Sequence, residues 1–138
     1  MTAPLRTVAV GFDGSADSEV ALRWAAALCE SVGATLWVVH VVGLLEEQHL
    51  TGNPSVTADT ALQIATEAGL PSKRVEWIQL SGSPSDALLR ATSPPNSVDL
   101  LVIGTRGSGR LPGMLLGSTS LELAQLSSIP VTVVPRSD

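Results

Sequence analysis

Cysteine and basic residues are both scarce in this sequence of 138 residues. A single cysteine, Cys29, excludes an internal disulfide bond, and its place in a helical apolar pattern predicts a small buried hydrophobic residue. Only 8 Lys and Arg stand against 13 Asp and Glu, which gives a net charge of -5. Such a chain lacks the broad basic surface of a DNA- or RNA-binding protein, so we expect no nucleic-acid partner.

Long apolar segments are missing as well. The most apolar run, 36–45, is far too short to span a bilayer, and residues 1–6 lack the apolar core of a signal peptide. We therefore expect a cytoplasmic protein with no membrane partner. Because 44% of the residues are hydrophobic and only 15% are charged, the composition is globular, and the length suits one domain over residues 1–138.

Several catalytic patterns are absent too. Lys73 is the only lysine, so the chain has no P-loop, and Gly107 and Gly109 are followed by Pro112 instead of the third glycine of a dinucleotide fingerprint. Asp13 has no neighbouring carboxylate of the kind that a two-component receiver needs. No Ser/His/Asp or Cys/His set converges on one place, so we expect binding, with slow hydrolysis at most.

Short apolar runs alternate with helical patterns along the chain. Strands are predicted at 6–12, 35–42, 74–80, 98–104 and 129–134, with helices from about 15 to 33, 58 to 69, 83 to 94 and 119 onward. This βαβαβαβαβ order predicts a doubly wound α/β domain with a parallel sheet between two layers of helices. The third strand alternates apolar and polar residues, which favours a sheet edge.

The first helix has clear end signals and an apolar stripe. Ser15 is a good N-cap and Gly33 a good C-cap, with Asp17 adding negative charge to the first turn. The stripe that we expect on the buried face consists of Ala21, Trp24, Ala25, Leu28, Cys29 and Val32.

The fourth strand leads into a glycine-punctuated loop with the spacing G-x2-G-x9-G-S, from Gly104 through Gly107 to Gly117 and Ser118. Glycines let the backbone approach a phosphate, and the amides and hydroxyls at a helix start, here Ser118 and Thr119, bind its oxygens. Two of the few basic residues, Arg106 and Arg110, lie in this loop beside Gly109. We interpret the segment as a nucleotide-phosphate site.

A plainer interpretation is a surface loop in which Ser118 or Thr119 is an ordinary N-cap. Residues 119–122 read Thr-Ser-Leu-Glu, which is a capping box. The strand, the loop, the hydroxyl pair and the two arginines together favour phosphate binding.

Ligands of such sheets bind beyond the carboxyl ends of the strands, where the strand order reverses. If the first and fourth strands are neighbours, Asp13 and the glycine loop face one crevice. Asp13 suits a ribose hydroxyl or a divalent cation, or is a turn-forming Asp before a glycine; its spacing leaves both open. His40 is interpreted as a satisfied core histidine, and the backbone of Val41 can offer an adenine edge its N–H and C=O groups.

The sequence resembles a universal stress protein domain of the ATP-binding type. The resemblance covers nearly the whole chain and rests on the glycine spacing and on segments 10–15 (VGFDGS), 39–41 (VHV), 82–84 (GSP) and 99–104 (DLLVIG). It implies an adenine nucleotide alpha hydrolase-like fold with strand order 3-2-1-4-5, a homodimer formed through residues 131–134, and a regulatory role in stress response.

The resemblance also implies ATP as the ligand, with Mg²⁺ or Mn²⁺. Asp13 would contact the ribose or the metal, Val41 the adenine, and the loop and helix start the phosphates. The implied site comprises Gly11, Asp13, Val41, Gly104, Arg106, Gly107, Gly109, Arg110, Gly117, Ser118 and Thr119.

Two other functions remain open at this level. A slow ATPase or an adenylate-transferring hydrolase would use Asp13 as a metal ligand and Arg106 or Arg110 to stabilise charge. A dimerisation module would leave the site empty or place another anion there.

Overall fold

The computed structural model describes residues 4–43, 56–105 and 117–136. Its strands are β1 (Thr7–Gly11), β2 (Thr35–Val42), β3 (Val75–Ser81), β4 (Leu100–Gly104) and β5 (Val131–Val134). Its α-helices are α1 (Ala16–Val32), α2 (Ala58–Glu67), α3 (Pro84–Thr92) and α4 (Ser118–Leu126), and a 3₁₀ turn at Ser72–Arg74 precedes β3. None of these helices is long and apolar enough to cross a membrane.

The strands form one parallel sheet in the order β3-β2-β1-β4-β5, as expected from the sequence. β3 lies at one edge, which confirms the interpretation of its alternating pattern, and β5 lies at the other. The last two strands begin two residues later than predicted. Pro130 stays outside β5, and its carbonyl oxygen accepts a hydrogen bond from the Leu101 amide at 3.0 Å.

Two apolar cores lie on opposite faces of the sheet. Val8 and Val10 of β1 point to the face covered by α1 and α2, where Leu22 is fully buried beside them. Ala9 points to the other face, where α3 and α4 pack and Leu123 is fully buried. Because side chains alternate along a strand and both faces are covered, the central strands are apolar throughout.

Both ends of α1 follow the predicted signals. The Ser15 hydroxyl accepts a hydrogen bond from the amide of Ser18, and Gly33 ends the helix with a left-handed φ of 78°. Glycine adopts this conformation without the steric penalty of a side chain, and its amide donates to the carbonyl of Cys29.

The predicted buried stripe of α1 is wrong at two positions. Trp24 is 41% exposed and Val32 is 47% exposed, whereas Leu22 and Ala26, outside the predicted stripe, are fully buried. The helix crosses β1 and β4, and this contact buries a broader arc of small side chains than the stripe suggested. The periodicity identified the helix correctly, but the sheet determined which side chains face it.

Gly104, the last residue of β4, lies against the first turn of α1. A β-carbon at this position would lie 2.7 Å from the carbonyl oxygen of Asp17 and 2.9 Å from its carbonyl carbon. Both are backbone atoms, so neither can move aside as a flexible side chain would. The close approach of β4 to α1 therefore requires glycine here.

We expect Gly104→Ala to lower the free energy of unfolding by about 1 to 3 kcal/mol, since the new methyl group must displace a backbone segment. Gly43→Ala is the matched control, because a β-carbon on Gly43 meets nothing within 4 Å. Urea denaturation of both variants measures the difference. Equal midpoints for the two variants would contradict the close contact.

Cys29 is fully buried in the core formed by α1 and α2, as predicted. Burial raises the pKa of the thiol from 9.0 to about 11, against the opposing effect of the Arg74 charge. The folded state therefore keeps a proton that the unfolded chain releases between these two values, and stability must fall as the pH rises through that range.

Between pH 9 and pH 11 we expect the free energy of unfolding to fall by about 2 kcal/mol, at up to about 1.4 kcal/mol for each pH unit. Few other groups titrate between pH 9 and pH 11, because the sequence has no tyrosine and Lys73 is its only lysine. Urea denaturation at a series of pH values tests this. The Cys29→Ala variant should lack the fall; the same slope in both proteins would contradict it.

Candidate functional site

β1 and β4 are hydrogen-bonded neighbours. This is the arrangement that the sequence analysis required for Asp13 and the glycine loop to face one crevice. Val10 pairs with Val102 two residues before β4 ends. Asp13 follows β1, and Gly104 ends β4, so both lie at the carboxyl edge of the sheet. From β1 the chain continues to β2 on one side of β1, and it later returns to form β4 on the other side. The strand order therefore reverses at β1.

Asp13 forms the turn between β1 and α1. Its carboxylate Oδ1 accepts a hydrogen bond from the Ser15 amide at 2.9 Å, and its own amide donates to the Ser18 hydroxyl at 3.3 Å. The turn-forming interpretation is therefore correct. Asp13 is nevertheless exposed, so its carboxylate can also receive a ligand; that role stays a prediction.

His40 holds the end of β1 against β2. Its Nδ1 lies 3.0 Å from the carbonyl oxygen of Phe12, and since a carbonyl only accepts, Nδ1 carries the proton. The ring stacks on Trp77 with centroids 5.6 Å apart. The Phe12 amide also donates to the Val39 carbonyl at 2.9 Å. His40 is satisfied by a hydrogen bond, as predicted, but it is half-buried instead of lying in the core, and its ring positions the residue that precedes Asp13.

Val41 and Gly11 lie close to the crevice in different settings. Val41 is half-buried near the carboxyl end of β2, where it pairs with Leu80 of β3. Gly11 ends β1, and a β-carbon there would lie 3.3 Å from a methyl group of Leu88 in α3. The small size of Gly11 thus helps α3 to pack on the sheet, while contacts of either residue with a ligand stay predictions.

The two ends of the segment between β4 and α4 are joined by two hydrogen bonds. The Gly117 amide donates to the Thr105 carbonyl at 2.7 Å, and the Ser120 hydroxyl donates to the Gly104 carbonyl at 2.7 Å. The other predicted residues of this segment, Arg106, Gly107, Gly109 and Arg110, lie outside the described residues. The structure thus brings Gly104, Gly117, Ser118 and Thr119 to one end of the sheet.

The predicted capping box at residues 119–122 is wrong. α4 begins at Ser118 with Gly117 as its N-cap, so no side chain caps it. Glu122 instead accepts a hydrogen bond from the hydroxyl of Ser85 in α3, at 2.9 Å. The carboxylate of Glu122 therefore joins α4 to α3 instead of forming the predicted capping box.

Among the described residues, no side chain therefore caps the first-turn amides of α4. In α1 and α2 the cap residues Ser15 and Thr57 accept hydrogen bonds from amides of the first turn. Ser83, the N-cap of α3, makes no such bond, and Gly117 has no side chain with which to make one. The helix dipole places positive potential at the same end, so this helix start is suited to an anion.

Sequence reasoning missed a buried carboxylate beside this site. Asp17, expected only as a first-turn acid, is 4% exposed. Its Oδ1 lies 3.3 Å from Nε of Arg136, and its Oδ2 accepts a hydrogen bond from the Thr105 hydroxyl at 3.3 Å. Arg136 is distant in sequence, and no local pattern links the two residues. Within the described residues no group of three His, Cys, Asp or Glu side chains converges as a metal site.

The sequence model of the Universal stress protein family matches residues 4–135, nearly the whole chain. The chain belongs to the universal stress protein family. This confirms the resemblance drawn from the sequence motifs.

Two relatives and one solved structure illustrate the family relationship. A universal stress protein of Mycobacterium tuberculosis is 31% identical over 153 residues, a match that covers 95% of this chain and 48% of the relative. One of Thermus aquaticus is 31% identical over 137 residues, covering 94% and 98%. The chain thus spans about half the length of its mycobacterial relative. The crystal structure of a universal stress protein in complex with cAMP is 28% identical, has a TM-score of 0.77, and is matched over 98% of this chain and 100% of that one.

We expect Ser120→Ala to destabilise the protein by about 1 kcal/mol or more, because it removes the hydroxyl bond to Gly104 and leaves a part-buried carbonyl without that donor. Ser118→Ala is the control, since Ser118 is exposed and caps nothing. Thermal unfolding of the two variants gives the comparison. A larger loss for the control would show that the Ser120 bond does not hold the segment ends together.

Proposed function

We propose that this universal stress protein is an adenine-nucleotide-binding regulatory protein whose ligand is ATP. The observation that carries the proposal is the uncapped start of α4, which lies beside the crevice between β1 and β4. The match to a universal stress protein solved in complex with cAMP supports an adenine nucleotide as the ligand class.

The phosphates would bind at the start of α4. Gly117 as N-cap leaves the first-turn amides without a side-chain acceptor, and Ser118 and Thr119 add hydroxyl groups. The two hydrogen bonds that join the segment ends hold these donors in place before the ligand arrives, which lowers the ordering required on binding. Gly107 and Gly109 would allow the phosphates to approach the backbone closely, and Arg106 and Arg110 would add positive charge, whereas the side-chain position of Gly104 is filled by the backbone of Asp17.

The nucleoside would extend toward β1 and β2. We assign the ribose or a phosphate-bound Mg²⁺ or Mn²⁺ to Asp13, and the adenine edge to the backbone of Val41. An exposed single carboxylate suits Mg²⁺, which keeps several waters and binds through one or two carboxylates plus substrate phosphates. The metal would neutralise phosphate charge when bound, while Asp13 would orient it next to the crevice.

Regulation, not rapid turnover, is the role that we propose. β5 is a sheet edge, so residues 131–134 can pair with a second copy to form a homodimer. Nucleotide binding would then change how readily β5 pairs with the second copy, as part of a cytoplasmic stress response.

Calorimetric titration of the full chain with ATP and Mg²⁺ tests the proposal, and no binding at millimolar nucleotide would refute it. Gly117→Ala should weaken ATP binding about tenfold, equivalent to 1.4 kcal/mol, because its methyl group obstructs the approach to the helix start. Gly43→Ala is the matched control and should bind normally. Unchanged affinity in the Gly117 variant would place the phosphates elsewhere.

A phosphate-release assay separates a regulatory protein from an efficient ATPase. We expect turnover well below about one per second. Faster hydrolysis that is lost in Asp13→Ala would contradict the regulatory proposal and favour the enzyme.

A further inference from the structure

Asp17 is a charged residue in an unusual place, because it is buried and its two carboxylate oxygens contact residues from two different strand ends. Oδ1 meets Nε of Arg136, the second residue after β5, and Oδ2 accepts from the hydroxyl of Thr105, the first residue after β4, each at 3.3 Å. The side chain of Asp17 is 5% exposed and that of Arg136 is 31% exposed. A carboxylate buried to this degree is kept only where partners satisfy it.

We propose that Asp17 is a positioning residue for the phosphate site. The affinity for nucleotide then depends on the ion pair between Asp17 and Arg136, although both residues lie outside the glycine motif. This inference rests on the function proposed above and adds to it a residue pair that the motif does not contain.

The geometry provides a continuous path from Asp17 to the start of α4. Thr105 donates its hydroxyl to Asp17, and its carbonyl accepts from the Gly117 amide at 2.7 Å. Gly117 is the N-cap of α4. Next to Thr105, the missing side chain of Gly104 allows the backbone of Asp17 to approach closely. The first turn of α1 is therefore connected to the phosphate-binding helix start through one residue.

The charges of Asp17 and Arg136 also bear on anion binding. A buried carboxylate beside an anion site repels the anion unless a cation compensates it, and Arg136 provides that compensation. Replacing Arg136 alone would leave an uncompensated negative charge next to the segment that binds phosphate. Replacing both members of the pair would restore neutrality. A charge-balancing role therefore predicts that the double variant binds more tightly than the Arg136 variant.

A purely structural role makes a different prediction. The pair also joins α1 to the segment after β5, so its loss must lower the melting temperature in either case. Only a positioning or charge-balancing role also changes the affinity of the folded protein for nucleotide. Binding and stability must therefore be measured on the same variants.

The experiment compares Arg136→Gln, the double variant Asp17→Asn with Arg136→Gln, and Thr105→Val in the full chain. Calorimetry with ATP and Mg²⁺ gives each Kd, and thermal unfolding gives each melting temperature. The control is Arg23→Gln, because the Arg23–Glu67 pair is of similar length, 3.4 Å, but both side chains are about half exposed.

We expect Arg136→Gln to raise the Kd about tenfold and the double variant to recover at least part of this loss. Thr105→Val should raise the Kd about threefold without altering charge, and so tests the inference even if Arg136→Gln does not fold. The control should bind like the unaltered protein.

Wild-type affinity in Arg136→Gln or in Thr105→Val, whatever the melting temperature, would overturn the inference and leave the proposed function intact. A double variant as weak as Arg136→Gln would overturn the charge-balancing role. Absence of ATP binding by the unaltered protein would instead refute the proposed function itself, so the two failures are distinguishable.

Discussion

The contact between the end of β4 and the first turn of α1 is the constraint on which the rest of the site depends. It exists because residue 104 has no side chain, so the backbone of Asp17 lies within 3 Å of the position that a β-carbon would occupy. This close approach lets the Asp17 carboxylate reach the Thr105 hydroxyl, and Thr105 in turn meets Gly117. A wider spacing between α1 and the sheet would break the hydrogen bond between Asp17 and Thr105, and the first turn of α1 would lose its connection to the residue that contacts Gly117.

At the same end of the sheet, some polar groups are hydrogen-bonded within the protein and stabilise the fold, whereas the start of α4 has no side-chain cap and can receive a ligand. The Phe12 carbonyl is occupied by His40, and the Gly104 carbonyl by Ser120. By contrast, α4 begins at a glycine N-cap and has no side-chain cap. Firmly bonded neighbours around an uncapped helix start are what preorganised anion binding requires, because the donors are fixed before the ligand binds.

Family membership and site geometry support the function at different levels. The family match extends over residues 4–135 and establishes the kind of domain, but it does not identify a ligand. The mycobacterial relative is about twice as long as the matched region, so the activity of such a whole protein is a separate question from what this domain binds. A nucleotide ligand is instead inferred from the carboxyl edge of the sheet, where Asp13 and the start of α4 lie beside neighbouring strands.

Local sequence patterns alone determined the α/β class, the alternation of elements and the ends of α1, because apolar periodicity and the signals of Ser15 and Gly33 act over a few residues. The strand order came from the resemblance to a family, since periodicity does not specify which strands pair. Only the tertiary structure decided that Glu122 pairs with Ser85 instead of capping α4, that Trp24 faces outward, and that Asp17 meets Arg136. These features depend on segments far apart in the chain. A locally predicted interaction does not form where a distant residue gives the same group a better hydrogen bond or a buried position.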